Sequence, residues 1–214
     1  MKNTKALIVV DVQNDFCPGG ALAVPSGDTI IPAINKLLPQ FELIIFTKDW
    51  HPVDAECFVS QHPGKQPFEQ YWPILRNGND WHPDTQETIW PDHCVAGTPG
   101  ADIHKDIDFG KCAKDFYIFK KATDRSSQGY SGFEGTQLDE FLKEKGIDTV
   151  VVCGLATDYC VKNTAIDAAN AGFRTVVVSD ACKAISPDLN ETEFQLRKNN
   201  VYYTDSNDLI SFTL

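Results

Sequence analysis

The residue with the clearest chemical potential is Cys160, which closes the stretch Val152-Cys-Gly-Leu-Ala-Thr-Asp-Tyr-Cys160. A β-branched run, Thr149 to Val152, gives way at Gly154 to a turn. Thr157 and Asp158 offer helix-capping side chains, and a helical apolar/polar pattern follows from Val161 to Ala171. This places Cys160 in the first turn of a helix. There, unpaired backbone N–H groups and the positive end of the helix dipole favour a thiolate. The expected chemistry is nucleophilic attack by sulfur. Cys153, inside the strand, reads as small apolar filler.

A nucleophile needs elements that hold it. Apolar runs predict strands at Ala6–Val10, Leu43–Thr47, Phe116–Phe119, Thr149–Val152, Arg174–Ser179 and Val201–Thr204. Helical periodicity predicts helices over about 28–38, 136–145, 161–171 and 187–198. Their alternation predicts an α/β fold, a three-layer, doubly wound, mostly parallel sheet of about six strands, with residues 1–214 as one domain. Residues of about 53–114 carry much Pro, Gly, His, Trp and Asp with little periodicity, and a connection that long is usually functional. Open α/β sheets bind ligands at the carboxyl ends of their strands. Those ends carry Asp11, Asp49, His51 and Lys121, with Cys160 just past a turn.

Bulk properties narrow the partners. A net charge of -11 over 214 residues opposes binding to nucleic acid. Seven cysteines without a C-x-x-C pair fit a reducing compartment. Ala6–Val10 is too short for a signal-peptide core, and no later run approaches a membrane span, so a cytoplasmic protein is expected. Acidity carries no clue to self-association, and a homo-oligomer stays open.

Five motifs then stand in order: Asp11-Val-Gln-Asn-Asp-Phe16, Asp49-Trp-His-Pro52, Trp90-Pro-Asp-His-Cys94, Tyr130-Ser-Gly-Phe133 and Gly154-Leu-Ala-Thr-Asp-Tyr-Cys160. Together they resemble the nicotinamidase/pyrazinamidase branch of the isochorismatase-like cysteine hydrolases. The resemblance implies hydrolysis of nicotinamide to nicotinate and ammonia, as in NAD salvage, with pyrazinamide as a second substrate. It implies Cys160 as nucleophile forming a thioester, Asp11 as the proton carrier and Lys121 as the third catalytic member. It also implies a cis peptide between Leu155 and Ala156, with the backbone N–H groups of Ala156 and Cys160 facing the oxyanion. Lys120 and Lys121 are adjacent on a strand end, so only one faces the site. The family pattern apolar-Phe-x-Lys-Gly selects Lys121, with Ala122 in place of the usual glycine.

By the same resemblance Asp49, His51 and His93 are metal ligands. Two imidazoles and a carboxylate suit zinc first, with iron or manganese as alternatives. Phe16, Trp90 and Tyr130 are expected to line a flat aromatic pocket, and Gln13 to steady Asp11 or the metal waters. The pattern breaks after Pro52: many relatives have His-x-Ser-Phe where this chain has Ala55-Glu56-Cys57-Phe58. Non-ligating Cys57 is the expectation, with Cys57 or Glu56 as a fourth ligand left open. A second Asp-Trp-His-Pro tetrapeptide, Asp80–Pro83, has no apolar strand before it and reads as surface loop. His62 and His104 read as solvated. Two other functions compete: an isochorismatase-type or carbamoyl/ureido-amide hydrolase, which such relatives perform without the metal motif, and a non-enzymatic ligand-binding module.

Overall fold

The apolar runs that begin at Leu43, Phe116, Thr149 and Arg174 form strands that outlast the sequence pattern at their carboxyl ends. The computed structural model of the protein describes residues 4–73 and 86–209. The strands are β1 (Lys5–Val10), β2 (Leu43–Asp49), β3 (Gln70–Tyr71), β4 (Glu87–Thr88), β5 (Phe116–Lys121), β6 (Thr149–Leu155), β7 (Arg174–Lys183) and β8 (Tyr202–Thr204). The α-helices are α1 (Ile31–Leu37), α2 (Leu138–Glu144), α3 (Lys162–Asn170) and α4 (Asn190–Lys198). Six strands make one sheet in the order β5-β2-β1-β6-β7-β8, every neighbouring pair parallel. This is the expected doubly wound α/β architecture.

Burial explains the composition of the central strands. Ala6 to Val10 and Val150 to Cys153 are wholly inaccessible, so both faces of β1 and β6 must be apolar. α3 packs on β6 and β7, and α4 on α3 and β8. At the far edge, Tyr117 and Phe119 of β5 meet Phe141 of α2, with ring centroids 4.7 and 5.4 Å apart. Phe116, on the alternate face, stacks on Phe109 at 4.8 Å.

From β1 the chain winds outward to β2 and β5, then returns to β6 and winds outward the other way. The crevice at the ends of β1 and β6 is the switch point where such sheets bind ligands. Gly154 is not the turn expected there, because β6 runs on through Leu155. Its φ is +122°, and a Cβ would lie 2.1 Å from the Val10 carbonyl oxygen. Glycine is required because β1 passes too close for any side chain.

The described parts of the long connection are laced together and to the end of β2. β3 pairs antiparallel with β4, and isolated bridges join His51 to Val95 and Phe58 to Trp90. The repeated tetrapeptide Asp80–Pro83 lies outside the described residues.

Candidate active site

Asp11 follows β1 directly and adopts φ +48°, a left-handed conformation uncommon for a non-glycine residue. Thr47 of β2 holds it from both sides. The Asp11 N–H donates to Thr47 Oγ1 at 3.2 Å, and the Thr47 hydroxyl donates to Asp11 Oδ1 at 2.7 Å. Lys121 ends β5 in register with Asp49. Its Nζ lies 2.7 Å from Asp11 Oδ2 and 3.6 Å from Cys160 Sγ. It also donates to Asp49 Oδ1 and to the Gly129 carbonyl. Lys120 points the other way, its ammonium 3.9 Å over the Trp50 ring. The strand alternation thus separates the two lysines. Ala122 has φ +56°, a left-handed conformation that favours glycine.

Cys160 sits on a π-helical turn, Thr157–Val161, that leads into α3, and the Leu155–Ala156 peptide is cis. Two expectations about this turn need correcting. Neither Thr157 nor Asp158 caps a helix; the Asp158 carboxylate instead accepts from the N–H groups of Ile185 and Ser186, at 3.0 and 2.8 Å. Nor is the helix start the main influence on the sulfur. Burial pushes the Cys160 thiol well above its ordinary value; the Asp11 and Asp49 carboxylates add to this, and Lys121 opposes it. Complete desolvation outweighs a helix end. Burial, with Asp49 adding, also raises Asp11, against the pull of Lys121. Although burial opposes it, the two carboxylates hold Lys121 well above the lysine range. Asp49, again against burial, is held well below the carboxylate range by Lys121, with the nearby His51 and His93 imidazoles adding to the effect. One ammonium faces two carboxylates. Asp49 keeps its charge, and Asp11 is the group that readily gains a proton.

Asp49 also turns toward the imidazoles. Its Oδ2 lies 3.8 Å from His51 Nε2 and 3.7 Å from His93 Nε2. One ligand atom from each of these three residues falls within 4.8 Å of the others, and all three residues are buried. The second ring nitrogens are occupied: His93 Nδ1 contacts the Pro91 carbonyl at 2.7 Å, and His51 Nδ1 lies 3.9 Å from Cys57 Sγ. Burial lowers His51, with Asp49 opposing, which favours the neutral imidazole that binds metal. His51 Nε2 is buried with no hydrogen-bond partner, as a ligand atom awaiting an ion would be. This donor set fits a divalent metal. Cys57 lies behind His51, on the side of its Nδ1, and outside this donor group; burial pushes its thiol up to about 12. Glu56 is outside the donor group as well.

Phe16, Trp90 and Tyr130 line one pocket together with His93, Ala156 and Cys160. The Trp90 indole N–H donates to the Tyr130 hydroxyl at 3.1 Å, and Phe16 leans on His93 at 5.5 Å. Gln13 is not in this pocket. Its amide nitrogen donates to the carbonyls of Asp49 and Ala101, at 2.8 and 2.9 Å, and its oxygen accepts the Asp49 N–H at 2.8 Å. Every polar atom of that side chain clamps backbone and positions Asp49, while the Gln13 backbone N–H donates to the Asp11 carbonyl at 2.8 Å. His62 and His104 are not fully solvated either. The His62 ring packs 4.5 Å from Tyr71, and His104 pairs with Asp106 at 3.8 Å.

A family model described as the isochorismatase domain matches residues 5–208. The chain belongs to the isochorismatase family. Within that family it is 45% identical over 194 residues to a nicotinamidase of Acinetobacter baylyi, covering 88% of this chain and 84% of that protein. Its fold is similar to a solved nicotinamidase/pyrazinamidase of Acinetobacter baumanii, with 41% identity, a TM-score of 0.86 and coverage of 98% and 99%. It is also similar to the pyrazinamidase of Pyrococcus horikoshii in complex with zinc, at 37% identity, TM-score 0.76 and coverage of 94% and 98%.

Sequence reasoning missed several residues of this isochorismatase-family site. Thr47 had a signal: it lies two residues before Asp49 on one strand and therefore on the same face. Asp15 stood inside the first motif; its carboxylate accepts the N–H groups of Cys94 at 2.7 Å and Ala21 at 3.2 Å, anchoring the loop that delivers His93. Leu22, Val24 and Ile185 also line the pocket, and lone apolar residues carry no such signal; Tyr159, which lines it too, stood inside the last motif. Among the described residues no helix is long and apolar enough to cross a membrane.

Proposed function

We propose that this chain hydrolyses nicotinamide to nicotinate and ammonia, and pyrazinamide likewise, through a thioester on Cys160. The observation that carries the reading is the buried contact of Asp11, Lys121 and Cys160 beside Asp49, His51 and His93, with Cys160, Asp49 and His93 opening onto one aromatic-lined pocket. An amide needs an activated nucleophile, a proton for its leaving nitrogen and a stabilised oxyanion.

The residues supply each in turn. Asp11 takes the Cys160 proton as sulfur attacks the carboxamide carbon. The N–H groups of Ala156 and Cys160 receive the oxyanion. Collapse breaks the C–N bond, and the proton held on Asp11 leaves with the nitrogen as ammonia. Asp11 then takes a proton from water, whose oxygen attacks the thioester. The departing sulfur regains a proton, and nicotinate is released. Lys121 keeps Asp11 oriented and offsets its charge throughout. Asp49, His51 and His93 would hold one divalent metal, zinc first, with iron or manganese able to use the same donors. When bound, that ion offers a coordination position, direct or through water, to the pyridine nitrogen. Seven free thiols suit a reducing cytoplasm.

The test is ammonia release from nicotinamide by protein of measured metal content. Cys160→Ala is expected to lower turnover by about a thousandfold or more, with circular dichroism unchanged. Near-normal turnover in that variant would sink the reading. Full activity after chelation, with His51 and His93 dispensable, would favour a metal-free amide hydrolase of the same fold.

A further inference from the structure

Gln128 carries a polar atom that nothing in the protein meets. The residue is 6% exposed and lines the pocket that holds Cys160, Trp90 and Tyr130. Its Nε2 donates to the Tyr71 hydroxyl at 3.2 Å, and its Oε1 is buried with no hydrogen-bond partner. The adjacent Gly129 carbonyl accepts from the Lys121 ammonium, so the chain here runs alongside the reacting groups. The nearby indole N–H of Trp90 is already given to Tyr130. A buried acceptor without a donor is rare in a native protein, and one at a pocket wall implies a donor brought by the ligand.

We infer that Gln128 Oε1 accepts an N–H from the amino group of the bound carboxamide, and so sets the preference for amide substrate over acid product. The inference rests on the amide-hydrolase reading above. Nicotinamide has one donor group, its carboxamide NH2; the ring nitrogen and carbonyl oxygen are acceptors. Nicotinate has no donor, and its carboxylate would set negative charge against Oε1. The same atom therefore holds the substrate and disfavours the product, which helps clear the site after hydrolysis. Sites built to pair a polar substrate group discriminate strongly because the mismatch leaves buried groups unpaired.

The experiment compares the KM for nicotinamide with the inhibition constant of nicotinate in metal-loaded protein of equal metal content. Gln128→Met keeps the length and removes the acceptor. It is expected to raise KM about tenfold with kcat changed less than about threefold, and to lower the ratio of nicotinate Ki to nicotinamide KM about tenfold or more. Gln128→Glu keeps an acceptor oxygen; it is expected to retain substrate KM and to weaken nicotinate further. Tyr71→Phe removes only the Nε2 partner and is expected to keep the wild-type ratio. A merely structural role would move KM and Ki together. An unchanged or increased ratio in Gln128→Met, or wild-type nicotinate inhibition in Gln128→Glu, overturns the inference. Absence of nicotinamide turnover in the unaltered, metal-loaded enzyme overturns it together with the proposed function, and is seen before any variant is made.

Discussion

The two ends of the central sheet carry depressions of opposite character. At the amino-terminal end a broad open groove is lined by Lys5, Glu42, Lys114, Asp115 and Lys145. At the carboxyl-terminal end a smaller, mostly apolar pocket meets Asp49, His93 and Cys160. Both ends hold a lysine–carboxylate pair of similar length. Lys114 and Glu42 lie 2.9 Å apart with side chains 60% and 81% exposed; Lys121 and Asp11 lie 2.7 Å apart and are wholly buried. Water screens the first pair and lets its long side chains wander, so it contributes little. The second pair has no water to replace its partners, so each charge depends on the others. Depth and mutual dependence, and not breadth, distinguish the chemical end of this sheet.

Variants at both ends can break that comparison. Lys121→Met leaves Asp11 and Asp49 buried without their cation, and is expected to cost about 3–5 kcal/mol of stability along with turnover. Urea denaturation checks this; a loss below about 1 kcal/mol would show that the cluster is wetter than its burial implies. His51→Ala removes a ligand whose Nε2 has no partner within the protein. Bound metal after dialysis is expected to fall from about one ion per chain to near none, read by elemental analysis. Retained stoichiometry would mean the ion binds elsewhere. Thr47→Val deletes both contacts to Asp11, and is expected to cost about 1–3 kcal/mol and to lower kcat about tenfold. Lys114→Ala, at the other end, is expected to change stability by no more than about 0.5 kcal/mol and to leave ammonia release unaltered. A clear loss of activity there would give the open groove a role that its geometry does not suggest.

How much of this was legible follows from how local each signal is. Continuous apolar runs reveal β1 and β6 because a strand buried on both faces can be nothing else. Strand alternation separates Lys120 from Lys121, and the topology rule gathers Asp11, Asp49 and Cys160 on one rim. Gln13 misled for the opposite reason. Its place in the first motif suggested that it steadies Asp11 or the metal waters, yet the partners that occupy its side chain, Asp49 and Ala101, are 36 and 88 residues away. Gly154 misled in the same way. Glycine near a strand end reads as a turn, but here it answers the approach of β1, which no local pattern encodes.

By itself, then, the chain's sequence determines the order of strands and helices, the chemical types at their ends, and the family motifs that name Asp11, Lys121, Cys160 and the three metal-ligand candidates. Only the tertiary structure decides that burial pushes the Cys160 thiol up and that Cys57 sits behind His51. It alone reveals the unpartnered oxygen of Gln128. Periodicity and turn chemistry act over a few residues and are written in sequence. Desolvation and the pairing of buried polar atoms depend on which distant segments arrive to exclude water.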